Sequence, residues 1–450
     1  MDRSTIWRWS RRRAASCLVA ATGLLAPNAV LLAQQPPQPV AFVNVNVIPM
    51  DRNGVVADQT VIVSGGRIAA VGPASSTPVP DGALRVDASG KYLVPGLAEM
   101  HGHVPAVNAQ GTNRQFVEDV LFLYVAAGAT TVRGMQGHPT QLELRARVDR
   151  GELIGPRLVL AGPQLSGQSA PDAETAQRRV QEQQQAGFDL LKIQEGVSLA
   201  AYDAIVAAAR ARGMPFGGHV PDDVGLQHAL ASGQGTIDHL DNYVAALREG
   251  GATPERIAAI ARETRTRNVA VVPTMALWEV LLGAHDVDAL LARPELRYMP
   301  RPTVDGWANN LRRRGGDAAA AREEVALRNR ILAALHEADV RILMGTDAPQ
   351  LFSVPGFSLY RELRAMAEAG MPPDAILRSG TVAVARHFGI EAEAGTVAAG
   401  KRADLLLLDA NPLADIANVE RRAGVVVNGR WLSETEIRRR LDEIASRAGG

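Results

Sequence analysis

Short apolar runs that end in a polar residue or glycine alternate with amphipathic stretches through the middle of this 450-residue chain. YLVPGLAEMH, TTVRG (130–134), RLVLAG (157–162), LLKI (190–193), PFGGH (215–219), GTIDH (235–239), VAVVP (269–273) and VRILMG (340–345) have the length and texture of buried strands. Helical stretches fall at 171–186, 198–212, 222–232, 253–266 and 321–338, with another near 358–369. Strands alternating with helices predict a parallel sheet. Eight strands with seven intervening segments predict an α/β fold, a (β/α)8 TIM barrel over 95–385. Catalytic groups in that architecture stand at the C-terminal strand ends.

Both ends of the chain have a different texture. AFVNVNVIPM, QTVIVSGGRIAAVG and LRVDASGKYLVPG are strand-rich, with Gly65-Gly66 reading as a hairpin turn. GTVAAGKRADLLLLDA and AGVVVNGRWL repeat the pattern near the other end. Residues 41–94 and 386–435 therefore predict one small β-sandwich domain built from both termini. The segment 274–320 breaks the rhythm and carries Trp278, Tyr298 and Trp307. Connections are usually about 4–6 residues, and longer ones tend to be functional. It predicts a partly helical lid over the substrate pocket, against the alternative of a solvent-facing insertion.

Charge and composition narrow the function. Hydrophobic residues make up 46% and charged residues 21%, the balance of a globular chain. Formal net charge is zero and no basic stripe with interleaved aromatics occurs, which argues against nucleic acid as a partner. Arg3, Arg8 and Arg11 to Arg13 precede CLVAATGLLAPNAVLLA, so 1–33 reads as a signal peptide and the mature protein as periplasmic or secreted. The apolar run has 17 residues, is broken by Pro27 and falls short of the roughly 20 wanted for a span, so no stable membrane anchor is expected after processing. Removing it leaves a mildly acidic chain without cysteine.

The strand ends carry the chemistry. His101 and His103 stand two apart in EMHGH, so an extended strand turns both imidazoles to one side. His219 and His239 end two later runs, and Asp347 follows the last in GTDAP. Imidazole and carboxylate suit a borderline or hard divalent ion. Lys192 lies inside the apolar run DLLKIQ, where an ammonium is costly. Paired with a carboxylate it would be structural; carbamylated by carbon dioxide it becomes an anionic ligand that can bridge two cations. His219, His239 and that carbamate would then serve one ion, and His101, His103 and Asp347 the other. Asp347 is also placed to shuttle a proton. His138, in GMQGHP, and Tyr243, four residues past His239, are candidates for polarising the scissile carbonyl. A loop histidine and a packed tyrosine are the equal alternatives.

These residues, with VPGLAEMHGHV, AAGATTVRG, LLKIQ, GTDAP and GTVAAGKRADLLLLDANPL, resemble the binuclear branch of the amidohydrolase superfamily, near its imidazolonepropionase-like and Xaa-Pro-dipeptidase-like members. The resemblance covers about 41 to 435. It implies two divalent metal ions, zinc foremost, held by His101, His103, Asp347, His219 and His239 with a carbamylated Lys192 between them. Mononuclear deaminases of the superfamily lack that lysine and carry a Glu three residues beyond the fifth-strand His, where this chain has Asp222. Deamination is therefore disfavoured. The expected reaction is attack of a metal-bridging hydroxide on the amide of a dipeptide or N-acyl amino acid. A lactonase or carboxylic esterase, or a cyclic amide hydrolase, would use the same site. A non-catalytic exported binding protein is the rival of another class. Arg133, Arg301, Arg361 and Arg364 are candidate grips for a free substrate carboxylate. Related enzymes are often oligomeric, so a homo-oligomer is compatible with the resemblance.

Overall fold

A computed structural model describes residues 38–107 and 112–449. The expected signal peptide, 1–33, lies outside the described residues. Helices begin where a side chain can cap them. Asp172, Ser198, Thr253 and Asp317 each accept a first-turn N–H. Gly187 and Gly213 close two of these helices in the left-handed conformation. Ala173–Ala186, Leu199–Arg212, Pro254–Thr266 and Ala318–Glu337 accordingly lie close to the expected spans.

Two parallel ladders run between these helices. Leu97–Gly102, Ala129–Gly134 and Arg157–Leu160 form one. Leu191–Ile193, Phe216–Gly218, Thr236–Asp238 and Ala270–Val272 form the other. A parallel bridge from Ala161 to Leu190 joins them. The expected strand at 340–345 forms no regular ladder. Its Ile342 bridges Val271, and the carbonyl of Met344 accepts from the Met100 N–H at 2.8 Å.

The strands from the two ends of the chain pair as one continuous sheet. Its order is Arg430–Ser433, Arg422–Val427, Leu405–Leu408, Tyr92–Pro95, Val40–Val47, Val56–Ser64 and Arg67–Pro73, with Leu84–Asp87 beside Val40–Val47. The alternation of a strand decides what each residue packs against. Leu405 and Leu407 join Phe42, Val61 and Leu93 in a core of the sheet's own, while Leu406 and Leu408 face the large core beneath the helices. A final helix, Glu434–Ala448, falls beyond the elements expected from sequence. Its Arg447 pairs with Asp119 of the helix Arg114–Ala126 at 2.7 Å, fastening the end of the chain to the body.

The segment 274–320 is helical: Met275–Leu281, Val287–Leu291 and Arg301–Arg314, with a short turn of 3-10 helix at Pro294–Tyr298. Its first helix is anchored by Glu362, whose buried carboxyl accepts the N–H groups of Met275 and Ala276 at 3.0 and 2.9 Å. Burial pushes that carboxyl up to about 8 against those two hydrogen bonds. Among the described residues no helix is long and apolar enough to cross a membrane.

Arg133, on the strand Ala129–Gly134, has 0% exposure. Its Nε donates to the Met100 carbonyl at 2.5 Å, Nη1 to Thr236 Oγ1 at 2.9 Å, and Nη2 to both oxygens of Asp238 at 3.0 and 2.8 Å. One guanidinium thus ties three strands together. Removing one partner of a buried pair leaves the other charge uncompensated. Arg133→Met is expected to cost about 3–5 kcal/mol of stability, measured by denaturant unfolding against wild type.

Candidate functional site

His101 ends the fully buried strand Leu97–Gly102, and His103 follows one residue past it. The two rings lie 5.6 Å apart between centroids. Asp347 sits between them. Its Oδ1 lies 2.5 Å from His103 Nε2 and 3.6 Å from His101 Nε2, and its Oδ2 lies 3.6 Å from His239 Nε2. The His239 ring stands 4.8 Å from that of His101 and 4.7 Å from that of His219. Lys192 is 1% exposed, with Nζ 3.2 Å from His101 Nε2. All six residues singled out at the strand ends therefore meet in one cluster.

The backbone is strained where two of them stand. His239 and Asp347 have φ of 71° and 62°, left-handed values uncommon outside glycine. Backbone hydrogen bonds hold these turns: Asp347 N donates to the His101 carbonyl at 2.6 Å, and His239 N to that of Val272 at 2.7 Å. Such conformations persist only where surrounding structure fixes them, and they concentrate at functional sites.

Close polar contacts also set the ring orientations. His101 Nδ1 lies 2.9 Å from Asp238 Oδ2, which leaves Nε2 toward Asp347 and Lys192. His239 Nδ1 lies 2.6 Å from Thr274 Oγ1, so its buried Nε2 faces Asp347 without a hydrogen-bond partner. Buried nitrogens of this kind call for a ligand. Burial holds the imidazoles neutral: His101 and His219 fall to about 4, with nearby Lys192 adding to the effect. Neutral imidazole is the form that binds metal. Burial pushes Lys192 down to about 8, against the pull of Asp238 and Asp347. Burial alone would raise the Asp347 carboxyl, but His101 and His103 facing it hold it below the ordinary carboxylate range.

Two donor groups fit a cation. The ligand atoms of His101, His103 and Asp347 all lie within 4.8 Å of one another, and so do those of Glu195, His219 and Asp241. Glu195 and Asp241 were not singled out in sequence; Glu195 lies in the turn beyond Ile193 and Asp241 opens the helix Asp241–Arg248, where contact depends on the path of the chain. Asp238, Glu99 and Thr274 were missed as well. Glu99 Oε1 accepts from the N–H groups of His101 and Thr346 at 2.9 and 2.8 Å, and Oε2 from Thr346 Oγ1 at 2.6 Å. It holds the chain before Asp347 against the strand that bears His101. The one signal available was its i, i+2 spacing to His101.

The remaining candidates make contacts of their own. Tyr243 lies in the helix Asp241–Arg248, two residues past Asp241 and so about 200° around the axis from it. With Asp241 facing His219, Tyr243 turns outward, where its hydroxyl lies 3.1 Å from Thr264 Oγ1 among Leu247, Ile257 and Leu335. It is packed in the core, with its hydroxyl engaged by Thr264. His138 caps the helix Pro139–Asp149: its Nδ1 accepts the Thr140 N–H and its own N–H donates to Gln141 Oε1. That capping box accounts for its position. The four candidate arginines each have a carboxylate partner, Arg133 in the interior and the other three nearer the surface. Arg133 is committed to Asp238, Arg301 to Asp305, Arg361 to Glu295 and Arg364 to Glu420.

Gly218 shows why the residue before His219 is small. A Cβ there would stand 2.6 Å from the Ile193 carbonyl oxygen and 2.7 Å from Lys192 Cδ, and φ is already +119°. Gly218→Ala is expected to displace Lys192 and lower bound metal per chain, read by elemental analysis of folded protein. Asp238→Asn replaces the carboxylate that orients His101 and should weaken metal affinity by about 10–100-fold. Competition with a chelator of known affinity measures it; unchanged affinity would remove Asp238 from this role.

Comparison with known proteins agrees with this geometry. The profile of the amidohydrolase family matches residues 92–432. An adenine deaminase of Rhizobium meliloti (strain 1021) is 25% identical over 401 residues, covering 85% of this chain and 56% of its own length. The chain thus spans about half the length of that relative. An imidazolonepropionase of Pseudomonas aeruginosa (strain LESB58) is 26% identical over 387 residues, covering 81% of this chain and 90% of its own. Among solved structures, a Xaa-Pro dipeptidase with bound methionine in the active site superposes with a TM-score of 0.66 at 20% identity, covering 88% of this chain and 100% of its own. That likeness is one of fold. A chain whose residues 92–432 match the family profile, and whose strand ends gather histidines and an aspartate at one point, belongs to the amidohydrolase family.

Proposed function

We propose that this protein is a metal-dependent hydrolase that cleaves the amide C–N bond of a dipeptide or N-acyl amino acid. The observation that carries the reading is the convergence of His101, His103 and Asp347 around one point, with buried Lys192 3.2 Å from His101. In this reading the parallel runs close into a (β/α)8 barrel over 95–385. The terminal sheet folds into a sandwich-like domain from 41–94 and 386–435, 274–320 covers the mouth, and export follows removal of 1–33.

His101, His103 and Asp347 would hold one divalent ion, and His219 and His239 a second. Zinc is favoured by the family. Divalent ions held there supply Lewis acidity toward a carbonyl oxygen and lower the pKa of water. Lys192 would bridge the two sites as a carbamate. Burial brings its pKa down to about 8, which gives it a larger neutral fraction at neutral pH than an exposed lysine, and the neutral amine is what adds carbon dioxide while releasing a proton. Asp238 and Thr274 keep His101 and His239 in the tautomers this needs. Asp347 accepts the proton lost by the attacking water and delivers it to the leaving nitrogen as the C–N bond breaks and the C–O bond forms.

Deamination is the second reading, favoured by the adenine deaminase relatives. Against it stand the buried Lys192 and the exposure of Asp222, which leaves that carboxylate facing solvent. Matched amides, esters, lactones and aminopurines separate the readings.

Elemental analysis paired with intact mass at mild pH is expected to give two metal ions per chain and an added carbon dioxide that acid removes. Asp347→Ala should lower kcat on the best amide by about 10²–10⁴-fold while most of the metal stays bound. One ion with unmodified Lys192 after bicarbonate-containing preparation would favour deaminase chemistry. Full turnover in the Asp347 variant would end its assignment as proton shuttle.

A further inference from the structure

Two buried donors without acceptors lie on stacked side chains next to the cluster. Arg328, on the helix Ala318–Glu337, is 1% exposed. Its guanidinium carbon stands 3.8 Å from the ring of Trp278, and that ring lies 6.3 Å from the imidazole of His239. Nε and Nη2 of Arg328 both donate to Glu324 Oε1, at 3.2 and 2.9 Å. Nη1 is buried with no hydrogen-bond partner, and so is Trp278 Nε1. Leaving a buried donor unpaired is costly, most of all on a charged group.

The donor chemistry of this pair points to an anion. Glu324 is shared with Arg248, so one carboxylate faces two guanidinium groups. Asp241 acts on Arg328 from a distance, and its own buried Oδ1 has no partner. Two guanidinium groups and two carboxylates balance here, and the N–H groups of Arg328 Nη1 and Trp278 Nε1 remain unanswered. A cationic N–H and an indole N–H on stacked side chains can each donate to an oxygen of a carboxylate, and a planar guanidinium stacked on an aromatic ring is already oriented for it. Stacking on Trp278 and the double contact with Glu324 fix the guanidinium, so little side-chain entropy is lost on binding.

We propose that Arg328 Nη1 and Trp278 Nε1 receive the free carboxylate of the substrate. The assignment rests on the amide-hydrolase reading and deepens it: the preferred substrate carries an α-carboxylate beyond the scissile bond, as a dipeptide or an N-acyl amino acid does. One residue of extended chain spans roughly 3.5 Å, a length that carries a carboxylate away from the His239 ring toward its neighbours on Trp278. It also gives the first helix of the 274–320 insertion a task, since Trp278 lies on Met275–Leu281.

The test uses the metal-loaded full chain and matched pairs: Ala-Pro with Ala-Pro-amide, and N-acetyl-methionine with its carboxamide. Wild type is expected to favour the acid by about 100-fold in kcat/KM, chiefly through KM, the scale of a charge-assisted hydrogen bond. In Arg328→Gln that ratio should fall to within a few fold of one, and in Trp278→Phe part of the way. Sodium N-acetylglycinate, titrated calorimetrically, should bind wild type and lose about tenfold or more in Arg328→Gln. If wild type does not prefer the acid, the proposal is overturned whether or not the variants fold. Equal acid-to-amide ratios in wild type and Arg328→Gln overturn it too. Hydrolysis of neutral amides with no acid preference would sink the carboxylate site and leave the hydrolase reading standing. Arg328-dependent binding of N-acetylglycinate without cleavage of any amide would do the reverse.

Discussion

A guanidinium with no exposure must be neutralised by a group that is equally dry, and much of this structure is arranged around that demand. The buried guanidinium of Arg133 needs an anion beside it, and Asp238 supplies one. Burial alone would push Asp238 up, yet Arg133 and His101 hold it well below the ordinary range. Once held as an anion, Asp238 has a second oxygen-to-nitrogen contact to make, and His101 Nδ1 takes it. The charge pair in the interior thereby decides which nitrogen of His101 faces the cluster. A stability element and an orienting element are the same side chain.

Glu99 performs a related task by a different means. It carries no cation beside it; its carboxyl is met by two backbone N–H groups and a hydroxyl, and burial pushes it up to about 7. Its contacts run between the strand that bears His101 and the turn that bears Asp347, which lie far apart in sequence. The strained φ of Asp347 is sustained there by Glu99 on one side and the His101 carbonyl on the other. Preorganisation at this site is thus distributed over residues that point away from it.

His101, His103, His219, His239 and Asp347 were legible in sequence because they stand at or just past the ends of apolar runs. Lys192 was legible for a different reason, since a lysine within DLLKIQ conflicts with its surroundings. Asp238 was hidden beside His239, because nothing local in sequence announces the buried Arg133 that it meets. The contact of Tyr243 with Thr264 was hidden as well, since it depends on how two helices pack. Arg328 gives no local signal at all, as it sits among charged residues on a long amphipathic helix and is buried by what packs across it. The run at 340–345 had the right texture, but its pairing is limited to a bridge and a few backbone hydrogen bonds.

The terminal sheet has a consequence for how this chain is made. Tyr92–Pro95 lies between Val40–Val47 and Leu405–Leu408, so its two neighbours come from opposite ends of the sequence. During synthesis the early strands must wait for more than three hundred further residues before their missing partner appears. Until then Tyr92–Pro95 has an open edge, and open edges pair promiscuously. Such long-range closure is slow, because the loop must be formed before any contact rewards it. Completion of the sheet is therefore a late event, one that records whether the whole catalytic body has been synthesised and brought into register.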